Sequence, residues 1–127
     1  MEDEKRLTES AFLVSETDEH GIITFANDDF CEIAGYKREE LLGKPHNIVR
    51  HPDMPKAAFK DLWHTVKSGK IWTGFVKNKV KGGGYYWVYA TVYPVVSCDR
   101  KKGYMSCRRM ATRDEIQKAE ELYKTMK

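Results

Sequence analysis

Cysteine is scarce in this chain. Cys31, Cys98 and Cys107 are its only three, and none sits in a Cys-x-x-Cys pair. An odd number without metal-ligand spacing fits a reducing cytoplasm and argues against a disulfide framework. Long apolar runs are missing too. No stretch could cross a membrane and no signal peptide opens the chain, so a membrane anchor is expected only in some other part of a parent protein. Charge of one sign is also lacking: 22 Lys and Arg face 19 Asp and Glu, for a net charge of +3. The two signs are interleaved, which makes nucleic acid a poor fit. There is no HExxH, no GxGxxG after a strand and no nucleophile–base pair that spacing supports. Gly82, Gly83 and Gly84 precede a strand, so they read as a turn and not as a phosphate loop. These absences point away from enzymatic chemistry.

What is present is one domain's worth of chain, 127 residues with 12% aromatics, long enough to bury a core. The stretch HNIVRHPDMPKAAFKDLWHTVKSGK, residues 46–70, organises the rest. Pro52 and Pro55 fix φ and remove donors, so regular helix is not expected across residues 50–54. Pro55 suits the first turn of a following helix. In that helix Phe59, Leu62, Trp63 and Val66 form one apolar stripe, and Gly69 ends it. A positively charged irregular segment against a core helix is where a ligand is expected. Arg50, His51 and Asp53 are the candidates.

Along the chain, residues 12–14 and 22–25 read as a hairpin around Glu19, His20 and Gly21. Asn27 can cap a helix lined by Phe30, Ile33 and Ala34. A short helix over 38–42 closes at Gly43. Past Gly69 the period falls to two: Trp72, Gly74, Val76 and Asn78 share one strand face. Residues 85–96 form a long aromatic, β-branched strand, 99–102 a charged turn and 103–110 a last strand. Thr112 to Glu115 resembles a capping box opening a helix with Ile116, Ala119, Tyr123 and Met126 on one stripe. The order predicts an α+β domain: a five-stranded antiparallel sheet, short helices on one face and a C-terminal exit helix. Residues 1–10 read as a cap segment, 11–112 as the domain and 113–127 as a signalling helix.

Several strings carry a family resemblance: FANDDF at 25–30, Ile33 to Tyr36, Glu40 to Gly43, PHNIVRHPDMPKAAF at 45–59, GKIWTGFVKNK at 69–79, YYWVYATVYPV at 85–95 and GYMS at 103–106. The chain resembles a PAS domain, and in particular the FAD-binding PAS sensor of bacterial aerotaxis, or energy-taxis, receptors. The resemblance implies non-covalent FAD whose redox state reports respiratory electron flow. It also implies a chemotaxis transducer or kinase-control module as partner, in the same parent chain or a separate one. A second copy of the chain is a further candidate partner. It implies a cytoplasmic domain whose parent is anchored to the inner membrane. A cofactor-free docking module and a haem gas sensor, with His51 or His64 as axial ligand, are the alternatives. A light-driven thiol adduct has no cysteine within residues 46–54 to form it.

FAD needs an apolar slot, hydrogen bonds at the ring edge and cations for its phosphates. Arg50 offers a bidentate fork. His51 either bonds the cofactor or ties the loop, and Asp53 orients Arg50 and His51 or caps the helix. Trp72 is a candidate ring wall, and Asn78, on the same face, offers both a donor and an acceptor. Asn27 is an adenine or ribose contact by family position, with helix capping as its simpler role. Trp63 and Phe59 read as plain core. Tyr85, Tyr86, Trp87, Tyr89 and Tyr93 fall on both faces of one strand, which suggests an exposed aromatic patch.

Overall fold

The computed structural model describes residues 4–5, 10–96 and 102–126. Cys98 and most of the 1–10 segment and the 99–102 turn lie outside them. The elements run β1 (Leu13–Asp18), β2 (Ile23–Ala26), α1 (Asp28–Ala34), α2 (Arg38–Leu41), a 3-10 turn (His46–Val49), α3 (Lys56–Lys67), β3 (Trp72–Lys79), β4 (Tyr85–Val96), β5 (Lys102–Met110) and α4 (Arg113–Thr125). The strands form one five-stranded sheet in the order β2-β1-β5-β4-β3, every pair antiparallel. The α+β architecture expected from the sequence is the one observed.

Local chemistry explains most boundaries. Asn27 caps α1 by accepting from the Phe30 amide, and its Oδ1 also accepts from Val14 N while Nδ2 donates to Phe12 O. One side chain thus fastens α1 to the start of β1. Gly35 ends α1 at φ 77°, a left-handed conformation that favours glycine. Pro55 is the N-cap of α3, one position outside the helix proper. β1 runs to Asp18, well past the three residues legible in the sequence. Its inward positions Leu13, Ser15 and Thr17 are all buried, but two of them are polar, so no apolar alternation marks the strand. The β1–β2 register shifts between Glu16 and Thr17, a bulge that re-aims the side chains beside it. The 3-10 turn was not anticipated; it fills the backbone between Pro45 and Arg50 before the proline-restricted segment begins.

Strand alternation divides the sheet into two faces. One face carries Ser15, Thr17, Val76, Asn78, Tyr86, Ala90, Val92, Ser106 and Arg108, with α1 to α3 packed over it. The other face is partly covered by α4, which folds back across β3 and β4. Tyr123 stacks on Trp87 at 6.3 Å and donates its hydroxyl to Phe75 O at 2.5 Å. Ile116 and Ala119 of the same helix are its buried residues. This arrangement removes the expected aromatic patch. Tyr86 is buried on the inner face, Trp87 lies under α4, and Tyr85, Tyr89 and Tyr93 are half-buried. The described part of the N-terminus joins the same corner: Lys5 N donates to Tyr85 O at 2.7 Å and Arg113 pairs with Glu4 at 2.5 Å.

Candidate functional site

A cavity of about 300 Å³ opens between the inner sheet face and the 46–63 segment. Phe59, Leu62 and Trp63 of α3 form one wall, and Val76, Ala90 and Val92 form the apolar sheet floor. Trp63 is braced edge-on by Tyr104 at 5.4 Å. Gly21 sits at the mouth with φ 82°, and a Cβ there would lie 3.3 Å from the Trp63 ring. Phe59 and Trp63, expected as plain core, are therefore cavity walls. The helical stripe is real, but the surface it packs against is partly empty space.

One end of this apolar slot is strongly polar. Arg108 of β5 is 2% exposed, and its guanidinium has no carboxylate partner among the described residues. Its NH2 donates to Ser15 Oγ at 2.9 Å and its NH1 to His46 Nε2 at 3.1 Å. Ser15 Oγ lies 2.9 Å from the same His46 nitrogen. The charge rests on the Phe30 ring, 4.4 Å from its centroid, and His46 stacks on that ring at 5.7 Å. Burial lowers the Arg108 pKa to about 10. Burial, and then the Arg108 charge, lower that of His46 to about 3. Tyr86, on the same inner face, is pushed up to about 12 by burial. Arg108 Nε and Thr17 Oγ1 are buried without a hydrogen-bond partner. Both residues line the cavity. A buried cation with an unused donor is costly unless something in the cavity accepts from it.

Of the residues expected from sequence, the structure brings Arg50 and Asn78 to the cavity. They form an isolated antiparallel bridge, so the loop and β3 present them side by side. The Arg50 guanidinium lies over the Phe59 ring at 4.7 Å. Asn78 is 4% exposed and donates to Tyr86 Oη at 3.4 Å. His51, Asp53, Trp72 and Asn27 do not line the cavity. His51 is buried, its amide donates to Lys77 O at 3.3 Å and its Nδ1 accepts from Asp53 N at 3.0 Å. Asp53 points outward to Lys77 Nζ at 2.9 Å, a bond that lowers its carboxyl pKa. Together they zip the loop onto β3. The Trp72 ring folds over Gly74, where a Cβ would meet it at 2.6 Å, and its Nε1 donates to Asp61 of α3 at 3.0 Å. Asn27 is occupied with its capping duties.

The residues that sequence reasoning missed are Arg108, His46, Ser15 and Thr17. The available signal was parity: Arg108 shares the inward alternation of Tyr104 and Ser106 on β5, where a charge has no ordinary reason to be.

A sheet flanked by short helices encloses a cavity with a polar end that has room for a small ligand. The chain belongs to the PAS family, whose model, described as PAS fold, matches residues 23–108. It is 51% identical over 94% of its length to the aerotaxis receptor of Escherichia coli K12. It is 33% identical over 63% of its length to the biofilm dispersion protein of Pseudomonas aeruginosa, and 28% identical over 70% to the nitrogen fixation regulatory protein of Klebsiella pneumoniae. The chain spans 24%, 19% and 18% of those relatives, respectively. Among solved structures, the light state of the Aureochrome1 LOV blue-light photoreceptor superposes with a TM-score of 0.74 at 16% identity, covering 92% of this chain and 93% of that one. That likeness concerns the fold. The chain is thus a PAS sensor domain homologous to part of the aerotaxis receptor. No helix among the described residues is long and apolar enough to cross a membrane.

Proposed function

We propose that this domain is a non-enzymatic sensor that holds FAD non-covalently and reports redox or energy status to a chemotaxis transducer or kinase-control module. The observation that carries the reading is Arg108, a buried guanidinium without a carboxylate and with an unpartnered Nε at the end of an apolar, aromatic-walled slot. An isoalloxazine ring matches that chemistry: flat apolar faces, and oxygen and nitrogen acceptors along one edge. The volume is at the low end for ligand pockets. That volume would suit the ring system alone. When bound, FAD supplies a reversible two-electron couple with visible absorbance.

The chain's own residues supply the rest. Phe59, Leu62 and Trp63 exclude water from one face of the slot, and Val76, Ala90 and Val92 from the other. Arg108 and Asn78 would hold the polar edge of the ring, and Arg50 would supply a cation for the phosphates. His51 and Asp53 position Arg50 by fixing its loop to Lys77. Trp72 acts indirectly, by locking α3 to β3 through Asp61, and Asn27 by anchoring α1. The 51% identity to an aerotaxis receptor supports the signalling role.

Haem is disfavoured by the same geometry. His64 is exposed on α3 outside the cavity, His51 lies outside its lining, and His46 Nε2 is taken by Arg108 and Ser15. A visible spectrum of the purified protein, before and after reconstitution with FAD, tests the reading. Oxidised-flavin absorption that survives gel filtration is the expected result. A Soret band would instead mean haem. A protein that stays colourless in excess FAD would leave a cofactor-free docking module.

A further inference from the structure

The His46 imidazole is held in a single protonation state by its neighbours. A guanidinium has no lone pair, so Arg108 NH1 donates and His46 Nε2 accepts. His46 is therefore neutral, with its proton on Nδ1. The groups around it come from every packed element: Arg108 from β5, Ser15 from β1 and the Phe30 ring from α1. Tyr86 of β4, on the same inner face as Arg108, is held neutral by burial. No carboxylate contributes to the setting of either His46 or Arg108 among the described residues. Negative charge is what this corner lacks.

Resting on the reading of the cavity as a flavin site, we propose that reduction of the bound ring is coupled to uptake of a proton by His46 Nε2, with Arg108 turning from that nitrogen to the charge on the ring. The electrons come from an external donor such as dithionite. For two electrons, two protons enter from solvent: one forms an N–H bond on the ring, leaving the reduced ring a monoanion, and the other forms the Nε2–H bond of an imidazolium. The new anion and the new cation balance. Burial, the main force against a charged His46, has to be overcome, and two changes act against it together: an anion arrives in the same low-dielectric corner, and the donor that occupied Nε2 departs. Ser15 Oγ, 2.9 Å from Nε2, is placed to accept the new N–H. The switch has a mechanical outlet. His46 opens the 3-10 turn, its amide donates to Gly21 O at 3.0 Å, and neighbouring Pro45 bridges Ile22, so its charge acts on the β1–β2 turn.

The experiment uses the full chain loaded with FAD and labelled with 15N at its four histidines. Imidazole 15N spectra are recorded oxidised and after anaerobic dithionite reduction, between pH 7 and 9, with His46→Gln assigning the signal. The expected result is a neutral Nδ1–H pattern in the oxidised state that becomes an imidazolium pattern on reduction. Potentiometry gives the second readout. Two protons per two electrons make the midpoint fall by about 59 mV per pH unit, and FAD-retaining His46→Gln should fall by about 30 mV, since one tenfold step in a two-electron couple is about 30 mV. A His46 signal that stays neutral on reduction, or an unchanged slope in His46→Gln, would overturn the proposal while leaving the flavin reading intact. Wild-type protein that cannot retain FAD would overturn both.

Discussion

Arg108 and His46, 62 residues apart in sequence, are joined by a hydrogen bond of 3.1 Å in the lining of the cavity. Neither side chain has an acidic partner among the described residues, and burial lowers the pKa of both. A site of this kind trades stability for affinity. The trade can be measured.

Arg108→Met replaces a buried uncompensated charge with an apolar chain of similar length. His46 and Ser15 remain paired with each other at 2.9 Å. The cofactor-stripped variant should melt at or above the wild-type temperature, because burying an ion costs several kcal/mol, roughly, that packing does not. FAD retention should fall at least tenfold, since a hydrogen bond to a charged group contributes about 1.5–3 kcal/mol. Calorimetry and equilibrium dialysis check the two halves, and a large loss of stability without loss of FAD would contradict the assignment.

Arg50→Ala should also lose FAD with the fold intact by circular dichroism. Lys at this position should rescue poorly, because it lacks the planar fork that stacks on Phe59. Full flavin retention after dialysis of Arg50→Ala would place the cation's contribution elsewhere.

The pH dependence of stability follows from His46. Its folded pKa, about 3, lies below its ordinary value of 6.5. Between these values the unfolded chain binds the proton and the folded chain does not. The stabilisation is thus complete above 6.5 and declines as pH falls toward 3. Cofactor-stripped protein should lose on the order of 1 kcal/mol per pH unit in the upper part of that window, before the carboxylates titrate. Urea midpoints from pH 7 to 5 measure the slope, and His46→Gln should flatten it. Glu115 acts lower down: its bidentate bonds to Arg109 and its place in the α4 cap hold its pKa near 2, against an ordinary 4.5. Its contribution is complete above 4.5 and lost as pH falls toward 2.

Trp72→Phe keeps an aromatic body over Gly74 but deletes the bond to Asp61. The expected cost is about 1 kcal/mol of stability, with FAD affinity changed less than in Arg108→Met. A loss of affinity as large as that of Arg108→Met would mean that the indole itself touches the ring.

Signal output is expected at the corner where α4, Tyr85 and residues 4–5 meet. Tyr85 stands between the two sides. Its ring lies under Lys77 Nζ at 4.5 Å and near His51 at 6.1 Å, and its carbonyl accepts from Lys5. Amide hydrogen exchange of oxidised and anaerobically reduced protein should differ over residues 105–125, and Asn78→Ala protein loaded with saturating FAD should lose the difference. Equal protection in both states would exclude this route.

The sequence alone determined the local architecture. Turn glycines, the Asn27 cap, the Thr112–Glu115 capping box and the change of period after Gly69 each act within a few residues, so each could be read in place. It also singled out the Arg50 segment, where two prolines and a charge cluster meet a core helix, and the structure places Arg50 in the cavity lining. Tertiary structure decided which side chains face the cavity. Arg108, His46 and Ser15 lie on three separate elements, and only the β1–β5 pairing, with Ser15 opposite Ser106, brings them within hydrogen-bond reach. The same pairing made β1 hard to read, since its inward polar residues break the alternation that marks a strand. Trp72 is the converse case. Its face was read correctly, but the absence of a side chain at Gly74 let the ring lie down along the sheet. Local rules fix backbone direction; where a long side chain goes depends on the space its neighbours leave.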